Sequence, residues 1–270
     1  MTGAGNAPLT SNARAEHARN NAVRPFDVRG LSHRGLVRAH NEDAWYAESG
    51  LGLAMVADGV GGHANGAVAS QSAVRWIANY LRRINVRIPR LRRFERAEQE
   101  RTIARAIAFA NKRLVAINAA AADAKQRCGT TIVGIWAPRG TGFPVTIFHV
   151  GDSRMYLLSK DANLEPLTRD HSAYQQWIES GKQGSPPPKS YILQALGLSD
   201  VAPDIISINV EAGDRFLLCT DGLSNGVGAP EMQQLMSEGA SLDTTCERFI
   251  SLGLARGGTD NLTSVVGSFS

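Results

Sequence analysis

The chain has 270 residues, of which 43% are hydrophobic and 20% charged, with a net charge of +4. That length can bury one sizeable core, and that composition excludes a disordered, fibrous or low-complexity chain. The basic excess is small and lacks interleaved aromatics, which excludes a dedicated nucleic-acid binder.

Residues 1–24 are rich in Ala, Asn and Arg, with no apolar run of the kind a secretory signal needs, and read as a mobile polar tail before one domain over residues 25–270. The first buried strand is expected at Gly52 to Ala57. Two helices follow, one with Ala69, Ala73, Trp76, Ile77, Tyr80 and Leu81 on a common face, the other with Ile103, Ile107, Ala110, Leu114, Ile117 and Ala121. They are expected to pack antiparallel. The second is rich in alanine and is interrupted by Arg105, Lys112 and Arg113, so no membrane span is expected. Between them Arg82, Arg83, Arg87, Arg90, Arg92, Arg93 and Arg96 form a basic run, read as a solvated connection, with docking of an acidic partner as the alternative.

Further strands are expected at Thr130 to Trp136, Val145 to Val150, Met155 to Ser159, Ile205 to Val210, Arg215 to Thr220 and Leu262 to Phe269. Helices are expected at Tyr174 to Glu179, at Pro230 to Glu238 with proline in its first turn, and at Leu242 to Ala255. Neighbouring strands without an intervening helix imply antiparallel hairpins. Their lack of a polar face implies cover on both sides. The economical fold is an α+β, four-layer α/β/β/α sandwich, with two antiparallel sheets face to face and helices outside. The three cysteines, Cys128, Cys219 and Cys246, form no C-x-x-C pair and read as buried thiols of a reducing, cytoplasmic compartment.

Acidic residues recur where apolar runs end: Asp43 in NED, Asp58 in VADG, Asp152 in VGDSR, Asp221 in CTDG and Asp260 in TDN. Any one Asp-Gly is an ordinary turn. Together they offer rigidly held carboxylates reachable from solvent, a set suited to hard divalent cations such as Mg²⁺ or Mn²⁺ and not to Zn²⁺. Two cations sharing a carboxylate would relieve the repulsion among them.

The ordered series GLVRAHNEDA, VADGVGGHANG, CGTT, HVGDSR, LTRDHS, ILQALG, LLCTDGL and GGTDNLT resembles the bacterial type-2C protein phosphatases, metal-dependent serine/threonine phosphatases of the same sandwich fold. The resemblance implies that Asp58 bridges two Mn²⁺ or Mg²⁺ ions, that Asp221 and Asp260 complete one and the Gly59 carbonyl binds the other, and that Asp152 holds a third, weaker ion. It implies that Glu42 and Asp43 act on the metals through coordinated water and that Arg38 grips the substrate phosphate. Arginine suits that task because its planar fork bonds two phosphate oxygens and stays ionised. The expected reaction is in-line attack by a metal-activated water on phosphoserine or phosphothreonine of other proteins, opposing a serine/threonine kinase. The chain is expected to act as a monomer.

Where eukaryotic relatives carry a histidine after Asp-Gly, this chain has Val60, which leaves the general acid unassigned. His63 and His171 read as structural, and a metal-bound water is the expected donor. The flap between DHS and ILQALG, Ala173 to Tyr191, is short and carries Pro186, Pro187 and Pro188, which predicts a stiff, less helical cover. Three rival functions are open to the same sequence. Gly59, Gly61 and Ala64 fit a dinucleotide fingerprint, but the expected acidic residue about 20 positions on is absent. A non-catalytic phosphoprotein binder is disfavoured because Arg38, Asp58, Asp221 and Asp260 are all present. A phosphatase dedicated to one regulator, such as an anti-sigma antagonist, differs only in substrate.

Overall fold

The structure, a computed structural model, describes residues 26–61, 65–87, 95–123, 126–138 and 144–269. The predicted tail 1–24, and His63, Ala64, Arg90, Arg92 and Arg93, lie outside the described residues.

The strands are β1 (Phe26–His33), β2 (Asp43–Glu48), β3 (Leu53–Gly61), β4 (Cys128–Thr130), β5 (Ile132–Trp136), β6 (Val145–Val150), β7 (Arg154–Leu158), β8 (Leu164–Pro166), β9 (Asp204–Ile208), β10 (Arg215–Cys219) and β11 (Leu262–Phe269). One sheet runs β1-β11-β10-β7-β8 and the other β2-β3-β5-β6-β9, with β4 against β3. Every pairing between these strands is antiparallel. The antiparallel neighbours of β3 remove the dinucleotide reading, which requires a parallel βαβ unit.

The helices are α1 (Asn65–Arg87), α2 (Arg96–Ala120), α3 (Ala173–Glu179), α4 (Asp221–Ser224), α5 (Ala229–Ser237) and α6 (Leu242–Ala255). Their starts follow from local chemistry. The Ser172 and Ser241 hydroxyls accept from the backbone N–H groups of Gln175 and Thr244, and the Glu231 carboxylate accepts from Gly228 N–H beside Pro230. No helix of the described residues is long and apolar enough to cross a membrane.

Three buried clusters define the layers. Odd positions of β3 (Leu53, Met55, Ala57) join Trp136 and Phe148 beneath α1 and α2. Even positions (Ala54, Val56) meet Phe26, Phe216, Leu218 and Val265 between the sheets. Leu217, Cys219 and Val266 turn outward onto α4, α5 and α6, where Leu223, Met232 and Phe249 are buried. The period-two alternation therefore produces the expected α/β/β/α order.

Three strands were not anticipated: β1, β2 and β8. Edge strand β1 buries only alternate residues and carries Arg29 and Gly30, so it lacks a continuous apolar run. The predicted strand over Thr130 to Trp136 is two, broken at Thr131. Of the arginine run, Arg82, Arg83 and Arg96 are exposed among the described residues. Arg82 lies in α1 and donates to Glu48 at 2.7 Å, while Arg96 opens α2 and donates to the Ser207 carbonyl at 2.6 Å.

Candidate metal centre

The layer between the sheets changes character along its length. At one end Phe26, Phe216 and Phe269 pack ring against ring at 5.3–5.7 Å. At the other, positions in step with these become Ser32, Thr131, Thr220 and Thr263, together with Asp43 and Asp58. Carboxylates that continue an inward-facing row are aimed by the strands themselves.

Asp58 sits two residues beyond Val56 and directly opposite Asp43 across the β2–β3 ladder. Its backbone is held on both sides. Asp58 N–H donates to Thr131 Oγ1 at 2.9 Å, and its carbonyl accepts from Thr131 N–H and Thr130 Oγ1, both at 2.9 Å. That grip accounts for the strand break at Thr131. Asp221 begins α4 just after β10, Asp260 precedes β11, and Asp152 lies in the β6–β7 turn, so pairing of β7, β10 and β11 gathers the three, and the packing of the two sheets sets them in one cleft with Asp58. Gly59 N–H donates to the Glu42 carbonyl at 3.1 Å, and a Cβ at Gly59 would lie 2.1 Å from the Gly66 carbonyl oxygen, so only glycine fits there.

Arg38, Glu42, Asp58, Gly59, Asp152, Asp221 and Asp260 line one cleft of about 430 Å³. Asp43 does not reach it. It is buried behind the cleft, its Oδ2 accepting from Thr220 Oγ1 at 2.8 Å and Thr263 Oγ1 at 2.6 Å, so it ties one sheet to the other. His171 is not among the lining residues. Of the flap, Ala173–Glu179 is helical and Ser190 and Ile192 border the cleft, while the proline stretch is neither helix nor strand.

Burial, and then the charge of Asp43, Asp221, Asp152 and Asp260, hold the Asp58 carboxyl well above the ordinary carboxylate range. Burial followed by Asp260 raises Asp221. Burial followed by Asp221 lifts Asp152 to about 7, and burial lifts Asp43 to about 7. The arginine lining the cleft is Arg38, whose Nη2 donates to Asp260 Oδ2 at 2.7 Å from a half-exposed side chain, while Arg154 acts on Asp152 from outside the lining. One guanidinium facing this many carboxylates leaves the cleft strongly negative. Buried Asp43 Oδ1 and Asp152 Oδ1 have no hydrogen-bond partner. Oxygen donors in excess, unpaired and mutually repelling, fit hard divalent cations.

The sequence reading missed the residues that orient these groups. Asn261 donates to the Arg34 and His40 carbonyls, both at 2.9 Å, and accepts from Glu42 N–H at 2.8 Å, so it straps the Arg38 loop to the Asp260 segment. Thr130, Thr131, Thr220 and Thr263 hold Asp58 and Asp43. All lie inside the quoted CGTT, CTDG and TDNLT motifs, which were the available signal.

A family model described as Protein phosphatase 2C matches residues 29–257. The chain belongs to the protein phosphatase 2C family. It is 35% identical over 243 residues to the serine/threonine protein phosphatase PstP of Mycobacterium tuberculosis, covering 87% of this chain and 43% of that one. It thus spans under half of that relative. It is 31% identical over 239 residues to the serine/threonine phosphatase stp of Listeria monocytogenes, covering 85% and 90%. The crystal structure of the catalytic domain of PstP in complex with two manganese ions superposes with a TM-score of 0.75 at 32% identity, covering 90% of this chain and 97% of that one.

Proposed function

We propose that this protein phosphatase 2C member hydrolyses phosphoserine and phosphothreonine on other proteins, with two Mn²⁺ or Mg²⁺ ions held by Asp58, Gly59, Asp221 and Asp260. The observation that carries this reading is a cleft in which carboxylates outnumber the one arginine and are pushed toward protonation first by burial and then by their own repulsion. Asp152 is assigned to a third, weaker ion, and Glu42 and Asp43 to support around the pair. The relative crystallised with two manganese ions supports the metal count. When bound, such ions supply the Lewis acidity that makes water nucleophilic near neutral pH and offset charge on the phosphoryl group.

The chain's own residues do the rest. Thr130 and Thr131 fix the Asp58 backbone, so the carboxylate needs no reorganisation when charge develops nearby. Arg38 spends one Nη on Asp260 and has further N–H groups for phosphate oxygens at the cleft mouth. Asn261 sets the loop from which Arg38 reaches. The substrates are products of a serine/threonine kinase, and the buried free thiols fit a reducing, cytoplasmic setting for a monomeric enzyme.

The test is release of phosphate from a phosphothreonine peptide with and without Mn²⁺. Activity that requires the metal and is lost in Asp221→Ala supports the reading. An inert wild type with ample Mn²⁺, or full activity in Asp221→Ala, overturns it.

A further inference from the structure

A chain of contacts outside the cleft ends on the turn that carries Asp152. Asp204 opens β9, and its Oδ2 lies 3.0 Å from His171 Nε2. His171 in turn holds Gly151 twice: Gly151 N–H donates to His171 Nδ1 at 3.2 Å, and the Gly151 carbonyl accepts from His171 N–H at 2.7 Å. Gly151 has φ +110°, and a Cβ there would lie 2.5 Å from Thr131 Cγ2, so this is a backbone conformation that side-chain-bearing residues rarely adopt. The turn is therefore fixed from outside as well as by its own sequence. The His171 carbonyl accepts from Leu193 N–H at 2.7 Å, next to Ile192 at the cleft wall.

A neutral imidazole has one N–H and one lone pair. Nδ1 needs its lone pair to accept from Gly151, so the proton must sit on Nε2, where a carboxylate can receive it. The imidazoles of His149 and then His171 hold the Asp204 carboxyl at about 2, so it is an ionised acceptor. Asp204 thereby selects the tautomer of His171.

The same three side chains have another reading. His149, His171 and Asp204 offer donor atoms within 4.8 Å of one another, and both nitrogens of buried His149 have no hydrogen-bond partner, its Nδ1 being 4.0 Å from Asp204 Oδ2. Two imidazoles and a carboxylate suit a transition metal. Gly151 decides against it, because ligation through His171 Nε2 would put a proton on Nδ1, facing the Gly151 N–H. A ligating histidine donates from its other nitrogen, whereas this one accepts.

We propose that Asp204 and His171 are positioning residues for the metal centre: Asp204 locks His171 in its Nε2–H tautomer, and His171 fixes Gly151 so that Asp152 faces a divalent cation. This rests on the metal-centre part of the proposed function, not on the reaction, and it can be tested without activity. Calorimetric titration with Mn²⁺ would compare the full chain with Asp204→Ala and Asp204→Asn, and ¹⁵N NMR would read the His171 tautomer. Asp204→Ala is expected to weaken the weakest Mn²⁺ site by about 10–100-fold, the scale seen when a group behind a ligand is removed. Asp204→Asn, whose amide oxygen can still accept from Nε2–H, should stay close to wild type. A purely structural role would not predict that rescue. Wild-type Mn²⁺ affinity in Asp204→Ala overturns the proposal. So does a wild-type His171 protonated on Nδ1, a result available even if the alanine variant fails to fold. If the affinities and tautomer behave as expected while the wild type leaves a phosphothreonine peptide intact, the positioning role stands and the phosphatase reading falls.

Discussion

Two groups of acidic residues lie beside the strand ends, and the protein treats them oppositely. Asp170 is paired within the chain: Arg154 Nε and Nη2 donate to its two carboxylate oxygens at 2.8 and 2.7 Å, and this fork raises the arginine further above its ordinary value. Asp58, Asp152 and Asp221 have no such partner among the described residues, and Arg38 is engaged with Asp260 at the rim. The first arrangement is complete as folded. The second holds its carboxylates against their own repulsion, with threonines and glycines fixing the backbone so that the side chains cannot spread. A fold that neutralises one acidic group from within and leaves its neighbours uncompensated reserves that place for a cation from solution.

The contrast is broken most forcefully at Asp58. Asp58→Ala should lower Mn²⁺-dependent hydrolysis of p-nitrophenyl phosphate by at least about a thousand-fold, equivalent to roughly 4 kcal/mol of transition-state stabilisation. It should leave the metal-free melting temperature unchanged or higher, since it removes a repelling charge. Activity near wild type would defeat the assignment. Arg38→Ala should cost about 100-fold in kcat/KM, mainly through KM, and Arg38→Lys should recover only part of it, because ammonium lacks the fork. An unchanged KM would remove Arg38 from phosphate binding.

The complementary variant tests the other group. Arg154→Ala leaves Asp170 largely buried without its partner and should destabilise the fold by about 2–4 kcal/mol in chemical denaturation. If Arg154→Ala and Asp58→Ala changed stability alike, the two groups would not differ as argued. A smaller effect is expected with pH. Because Asp43 and Asp152 titrate at about 7 in the fold, above the ordinary carboxylate value, stability present at low pH is lost as pH rises through 7. In the presence of chelator the melting temperature should therefore fall between about pH 4 and 8, and Asp152→Asn should flatten the fall by roughly 5 °C. A fall of equal size in the variant would contradict this. The least effect on activity is expected from Asp152→Asn at saturating Mn²⁺, within about tenfold of wild type, growing as metal becomes limiting.

Much of this was legible because strand periodicity and strand-end carboxylates are local signals. The runs Val145 to Val150 and Leu262 to Phe269 are bounded as read, and Leu242 to Ala255 is bounded by its Ser241 cap. Edge strand β1 was not legible, since only alternate residues such as Phe26 and Val28 are buried and the rest answer to solvent. The break at Thr131 was hidden because it is caused by Asp58, 73 residues away in sequence. Asp43 marks the limit of motif reading. Its neighbour Glu42 faces the cleft while Asp43 turns onto Thr220 and Thr263 of the opposite sheet, a distinction set by pleat and by sheet packing that NED alone does not carry.

The most direct test is equilibrium Mn²⁺ binding by calorimetry on the wild type and Asp58→Asn. Two tightly bound ions per wild-type chain, with that binding lost in Asp58→Asn, is the predicted result. A wild type that takes up no Mn²⁺, or an asparagine variant that binds it as well as wild type, would contradict the claim that these carboxylates are held together for cations.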